Sequence, residues 1–258
     1  MCSLTGRSFY CFSRLIFTGL LPLLALLHGC GKSIFFADDP AVIEHPLPAF
    51  AEIKVNSVFD IELRNDSLYS IRLEGNKGLI ENISFDIVAD TLKLSDDNSF
   101  VWLPDYPRTK LVISMPEMRR IGVWLNSPAK LYSSDTLSLS RLSVFSIEKM
   151  AEIDLTLNTN YLSFNTDYNN FGYYILRGIT HEADLRTYGS AHLDAGELHV
   201  NNASVRNVSI GDTYIHVENQ LRAWLIHYGN IYYSGSPDDV VIEYMESRGR
   251  LIYLDTDH

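Results

Sequence analysis

From Phe50 onward, apolar and polar residues alternate over short stretches. In AEIKVNSVFDIELRND the apolar positions are Ile53, Val55, Phe59, Ile61 and Leu63; in NISFDIVADTLKLSDD they are Ile83, Phe85, Ile87, Leu92 and Leu94. A period of two, bounded by Asn, Asp and Gly, predicts half-buried strands joined by turns. LVISMPEM predicts another strand, ended by Pro116, which lacks the donor that a sheet interior needs. Beyond the first thirty residues the i, i+3, i+4, i+7 pattern is never sustained over three turns, so no amphipathic helix is expected.

The second half repeats. IGVWLNSPAKLYS, VFSIEKMAEIDLTL, LSFNTDYNNFGYYILRG, ADLRTYGSAHLDAGE, VRNVSIGDTYIHVEN, RAWLIHYGNIYYSGS and VIEYMESRGRLIYL each place a break between two short strands. The breaks fall near Ser127, Lys149, Asn169, Gly189, Gly211, Gly229 and Gly249, at spacings of 22, 20, 20, 22, 18 and 20 residues. Parallel strands normally need helical crossovers. A solenoid does without them, because each coil returns to the same edge through turns and the next coil stacks on it. The expected fold is therefore all-β, a parallel β-helix or β-solenoid with coils of roughly 20 residues. At a spacing of ~4.8 Å, seven coils span roughly 34 Å. The glycines are expected where a coil turns a corner, either at positive φ or where a neighbouring backbone leaves no room for a Cβ. Asn169 and Asn170 are expected to serve at the equivalent place, since Asn tolerates the left-handed region. The competing architecture is an antiparallel sandwich with hairpins at the same glycines. The constant coil length favours the solenoid, since hairpins tolerate unequal strands.

The chain of 258 residues is 46% hydrophobic and 21% charged, which is a globular balance. Its front end differs. Arg7 and Arg14 precede an apolar run from Leu15 to Leu27, followed by His28, Gly29 and Cys30. The run is short for a bilayer span and contains Pro22, so residues 1–29 read as a secretory signal. LLHGC resembles the lipobox of bacterial lipoproteins, with His28 where a small residue is usual; that resemblance makes Cys30 the lipidated residue and the membrane a partner. Cys2 and Cys11 lie in the leader, so no internal disulfide is expected. Residues 30–48 read as a tether and 49–258 as one domain. Loss of Arg7 and Arg14 leaves 19 Lys+Arg against 32 Asp+Glu, a net charge of −13, which argues against nucleic acid as a partner.

Two stretches carry a family resemblance. Gly229, Ile231, Tyr233, Gly235 and Pro237 match a G-x-I/V-x-Y-x-G-x-P pattern. Phe50, Ile53 and Val55, followed by Phe59-Asp60-Ile61-x-Leu63, match an opening F-x-x-I-x-V then F-D-I/V-x-L. In both, the chain resembles the putative auto-transporter adhesin, head GIN domain family. The middle is looser, with Tyr-Gly-Ser, Ile-Gly-Asp, Tyr-Gly-Asn and Arg-Gly-Arg where members often carry Gly-Ser-Gly. The resemblance implies a β-helix-like domain of exported lipoproteins of the Bacteroides group, and with the lipobox an outer-membrane location, periplasmic or surface-facing. It carries over no catalytic residues.

The remaining chemistry is sparse. Asp96-Asp97 and Asp238-Asp239 sit in turn text, where Asp caps backbone donors. His181, His192, His199, His216 and His227 are scattered without metal-ligand spacing, and His199 and His216 read as surface or ladder positions. No catalytic residue, metal or cofactor is expected. Aromatics are the better lead. Adjacent strand residues face opposite sides, so one member of each Tyr pair points outward, and an outward row of Tyr174, Tyr188, Trp224, Tyr228 and Tyr232 is expected to bind a glycan or a peptide strand. Asp66-Ser67-Leu68, Asp90-Thr91-Leu92 and Asp135-Thr136-Leu137 resemble the O-glycosylation acceptor of exported Bacteroides-group proteins. The functional expectation is a non-catalytic envelope lipoprotein binding a glycan or an envelope protein. A lyase-like enzyme on the same scaffold and a structural role in the envelope are the alternatives.

Overall fold

The computed structural model describes residues 39–255 apart from 100, 102, 104, 105, 149 and 247. The leader, Cys30 and the rest of the expected tether up to residue 38 lie outside the described residues. Among the described residues, seventeen strands join in one continuous sheet. In the second half, β10 (Leu137–Ser146), β11 (Glu152–Thr166), β12 (Tyr173–Gly189), β13 (His192–Ser209) and β14 (Thr213–Leu225) stack in sequence order, each parallel to the last. Then β15 (Ile231–Ser234) and β16 (Asp239–Met245) both pair with β14, and β17 (Leu251–Tyr253) pairs with β15. The result is a curled solenoid of about 7 turns, and the antiparallel sandwich is excluded here.

Its inner wall is two ladders of residues, all apolar but Thr213. Ile61, Leu131, Ile153, Tyr174, Leu193, Thr213, Ile231 and Leu251 follow one another across successive strands. Ile53, Val123, Val144, Phe164, Leu185, Val205 and Ala223 form the second, which ends at the exposed Ile242. Each fully buried Leu or Ile contributes about 1.5–3 kcal/mol, so the ladders carry the fold. Inward parity switches once within each coil. In β11 the buried positions are Ile153, Leu155, Leu157 and Thr159, then Leu162, Phe164 and Thr166. In β12 they end at Thr180 and resume at Ala183. Two successive outward residues thus mark a corner that the hydrogen-bond ladder runs straight through.

The other corner is where the glycines and asparagines lie. Gly189 has φ +68, the left-handed region. At Gly229 the cause is instead close approach, since a Cβ there would lie 2.0 Å from Gly211 O. Asn170 does not use the left-handed region. It is buried and works through its side chain, which donates to Glu148 O (3.0 Å) and accepts from Gly172 N (2.9 Å).

The first half departs from sequential winding. β2 (Glu52–Val55) and β3 (Phe59–Asn65) lie between the coil of β6 (Thr91–Asp96) and β7 (Thr109–Met115) and the coil of β8 (Arg120–Leu125) and β9 (Lys130–Tyr132). Antiparallel additions close this end. β4 (Ser70–Asn76) pairs with β7, β1 (Pro40–Pro46) with β4, and β5 (Ile83–Val88) with β6. One helical turn, α1 (Lys77–Ile80), buries Leu79 and Ile80 beside them. Residues 40–46 were expected in the tether; they form β1 because Ala41 and Ile43 pack on the core and the prolines sit at the ends of an edge strand, where a missing donor is tolerated.

Candidate functional site

The register that stacks the core also stacks the outward residues. On the strand runs after the inner corner, one outward column reads Lys54, Trp124, Phe145, Asn165, Arg186, Arg206, Trp224, Tyr244. Trp124 and Phe145 stack at 4.1 Å with planes 13° apart, and Lys54 Nζ lies 5.9 Å from the Trp124 ring. Further along, the Arg206 guanidinium lies 5.0 Å from the Trp224 ring. Four residues before it runs a second outward column, Arg120, Arg141, Tyr161, Glu182, with Arg141 over Tyr161 at 4.2 Å. Between the columns come Gly122 and Ser143, whose small size leaves a cavity of about 440 Å³ bordered by Glu52, Arg120, Trp124, Arg141 and Phe145. A second cavity of about 430 Å³ continues from it past Arg120 and Arg141 to Tyr161, His181 and Glu182.

The charges on this face are unequal. Arg186 is paired with Asp184 and Arg222 with Glu243. Among the described residues, Arg120 and Arg141 make no ion pair. Both are exposed and both line the two cavities. A flat aromatic shelf beside two guanidinium groups without a carboxylate partner among the described residues offers an apolar surface and a fork of N–H donors at once, which is suited to a saccharide bearing carboxylate or sulfate.

The model of the putative auto-transporter adhesin, head GIN domain, matches residues 49–237. The chain belongs to this family. Solved structures with the same architecture include a putative adhesin from Bacteroides fragilis at 17% identity and a TM-score of 0.69, covering 84% of this chain and 98% of the other. A putative adhesin from Parabacteroides distasonis follows at 15% identity and 0.61, with the same coverage. One from Parabacteroides merdae stands at 18% and 0.58, covering 85% and 98%. At such identities the likeness is one of fold. No curated protein matches the chain.

In this head GIN domain the aromatics expected in one outward row are divided. Tyr174 is in the core, because its register neighbours Ile153 and Leu193 belong to the inner ladder. Its hydroxyl donates to Asn170 Oδ1 (2.6 Å) and lies 2.9 Å from Ser146 Oγ, and burial raises its pKa. The outward member of that pair is Tyr173, beside His192. Tyr232 stacks on Tyr214 at 4.8 Å and 9°, on the strand runs before the inner corner, whereas Trp224 lies after it. Tyr188 packs on Tyr168 and Tyr228 on His227, both at the glycine corner. Three sides of the coil thus share the residues. The Trp124–Phe145 shelf was missed; its signal was the repeat itself, since VWLN and VFSI set an aromatic at the same place in successive coils.

The fold also gathers His199, His216 and Glu218, a grouping that linear spacing conceals. Hydrogen bonds from His199 and then His216 hold the Glu218 carboxyl below the usual carboxylate range. Of the three segments resembling glycosylation acceptors, those of Ser67 and Thr136 are exposed, whereas Thr91 is buried in β6.

Proposed function

We propose that this head GIN domain is a non-catalytic, exported envelope protein, anchored through a lipidated Cys30, that holds an acidic glycan along the Trp124–Phe145 groove. The observation that carries the reading is the stacked aromatic pair bordered by Arg120 and Arg141, neither with a carboxylate partner among the described residues. In a chain of net charge −11, the cavity beside the aromatic shelf sets two arginines against the one carboxylate of Glu52. The shelf stacks on the apolar face of a sugar ring while the guanidinium groups take its acidic substituents, and the open, shallow shape admits a polymer laid across several coils. Adhesin names in the family and among its structural relatives agree with binding rather than catalysis.

Calorimetry with uronic-acid or sulfated oligosaccharides against neutral ones tests this. Binding to acidic oligosaccharides is expected to weaken at least about tenfold in Trp124→Ala and in Arg141→Ala, roughly the worth of one stacking or charge-assisted contact. Equal affinity for neutral and acidic chains, or no effect of either substitution, would overturn the reading.

A further inference from the structure

We propose that His199, His216 and Glu218 form a divalent transition-metal site at the corner of β13 and β14. The three offer one ligand atom each, all within 4.8 Å of one another. His199 and His216 are directly opposite in the β13–β14 ladder, with ring centroids 4.3 Å apart. Glu218 Oε1 is 3.1 Å from His199 Nδ1 and 3.0 Å from His216 Nε2. Metal–ligand bonds of about 2.0–2.1 Å at tetrahedral angles put donor atoms roughly 3.3 Å apart. Two edges of the triangle are therefore close to the required length, and turning the exposed His199 ring brings in the third.

The backbone is built around the grouping. Ala195 pairs with Ile215, but the next pair is His199 with His216, so Gly196, Glu197 and Leu198 have no partner in the β13–β14 ladder, while Glu197 and Leu198 stay paired to β12. Straight continuation would have set Gly196 opposite His216. A second irregularity follows between Val200–Val217 and Asn202–Gln220, which frees Glu218 and Asn219 on β14. Bulges re-aim side chains and concentrate beside functional sites; here one sets His199 opposite His216 and the other contains Glu218. Ser234 Oγ is 2.9 Å from His216 Nδ1 and fixes that ring with Nε2 toward Glu218, as outer partners of metal-bound imidazoles do. Gly235 leaves the approach open, since a Cβ there would come within 3.2 Å of His216 Nε2.

Without metal, both nitrogens facing the carboxylate donate protons to one oxygen. A cation at the centre replaces those two protons and takes all three lone pairs. Two imidazoles and a carboxylate suit zinc or copper better than calcium or magnesium. His199 and Glu218 are half exposed, so the remaining coordination positions face solvent. The site is on other strands than the Trp124 groove and does not depend on its function.

The untagged chain, stripped with a chelator, is titrated with Zn²⁺ by calorimetry, and Cu²⁺ loading is followed by electron paramagnetic resonance. One equivalent is expected, with nitrogen coupling from two imidazoles in the copper spectrum. His216→Ala and Glu218→Gln should each weaken zinc at least about tenfold, while His181→Ala and His227→Ala leave it unchanged. Zinc should raise the melting temperature of the parent chain but not of His216→Ala. Equal zinc affinity in His216→Ala, or loss shared by His181→Ala and His227→Ala, would overturn the site, as would no binding at sub-millimolar zinc.

Discussion

At the scale of single residues, what decides an effect is which atoms a side chain meets. Glu62 is 1% exposed, and although burial disfavours its charge, Lys110 and Arg64 outweigh that and hold its pKa at about 2. Its Oε2 accepts from Lys110 Nζ at 2.8 Å and its Oε1 from Arg64 Nη2 at 2.7 Å. A carboxylate held below its unfolded value stabilises the fold fully above that value and loses the contribution as pH falls. For Glu62 the window runs from about 4.5 down to about 2, and the contribution is about 3 kcal/mol. Glu62→Gln is therefore expected to lower stability at neutral pH by an amount of this order and to flatten its fall between those pH values, measured by urea unfolding across the range. Two glycines make a second contrast. In Gly229→Ala the new Cβ meets backbone of the preceding coil at 2.0 Å, so coils must separate, and a loss of several kcal/mol in unfolding free energy is expected. In Gly122→Val the nearest atom to the Cβ is at an ordinary 3.5 Å, so the melting temperature should hold while the filled cavity weakens oligosaccharide binding.

At the scale of elements, the corners explain why the strands look as they do. Asn207 is fully buried between β13 and its turn, donating to Gly211 O at 3.0 Å and Asn230 O at 3.2 Å while accepting from Ser209 N at 2.8 Å. It does in its coil what Asn170 does in another. Asn207→Ala strands these backbone groups, and about 2–3 kcal/mol of destabilisation is expected in chemical unfolding. Strand existence and coil length were legible in the alternation and the break spacing, since both follow from local pattern. The choice between Tyr173 and Tyr174 was not. Either parity keeps the alternation, and only pairing with Ile153 and Leu193 places Tyr174 within the ladder. Trp124 and Phe145 were legible in principle, because stacking coils one period apart must bring equivalent outward residues together.

At the scale of the whole molecule, the insertion of β2–β3 between two later coils makes the N-terminal segment part of the stack rather than an appendage. A chain starting after Asn65 removes the pairing partners of β6, β7, β8 and β9 together. Such a chain is expected to lose its cooperative melt, followed by far-ultraviolet circular dichroism. At the other end, β16 and β17 pair on one side each among the described residues, and Ile242, Tyr244, Met245 and Tyr253 are exposed there.

Alternation, glycine corners and a period near twenty residues were enough to imply a coiled, all-β chain, because each coil repeats the same local solution to burying one face. Which coil neighbours which at the N-terminus, which tyrosine turns inward, and that His199 meets His216 and Glu218 all depend on register between residues far apart in the chain. A one-residue bulge changes such meetings completely while leaving the local pattern almost untouched.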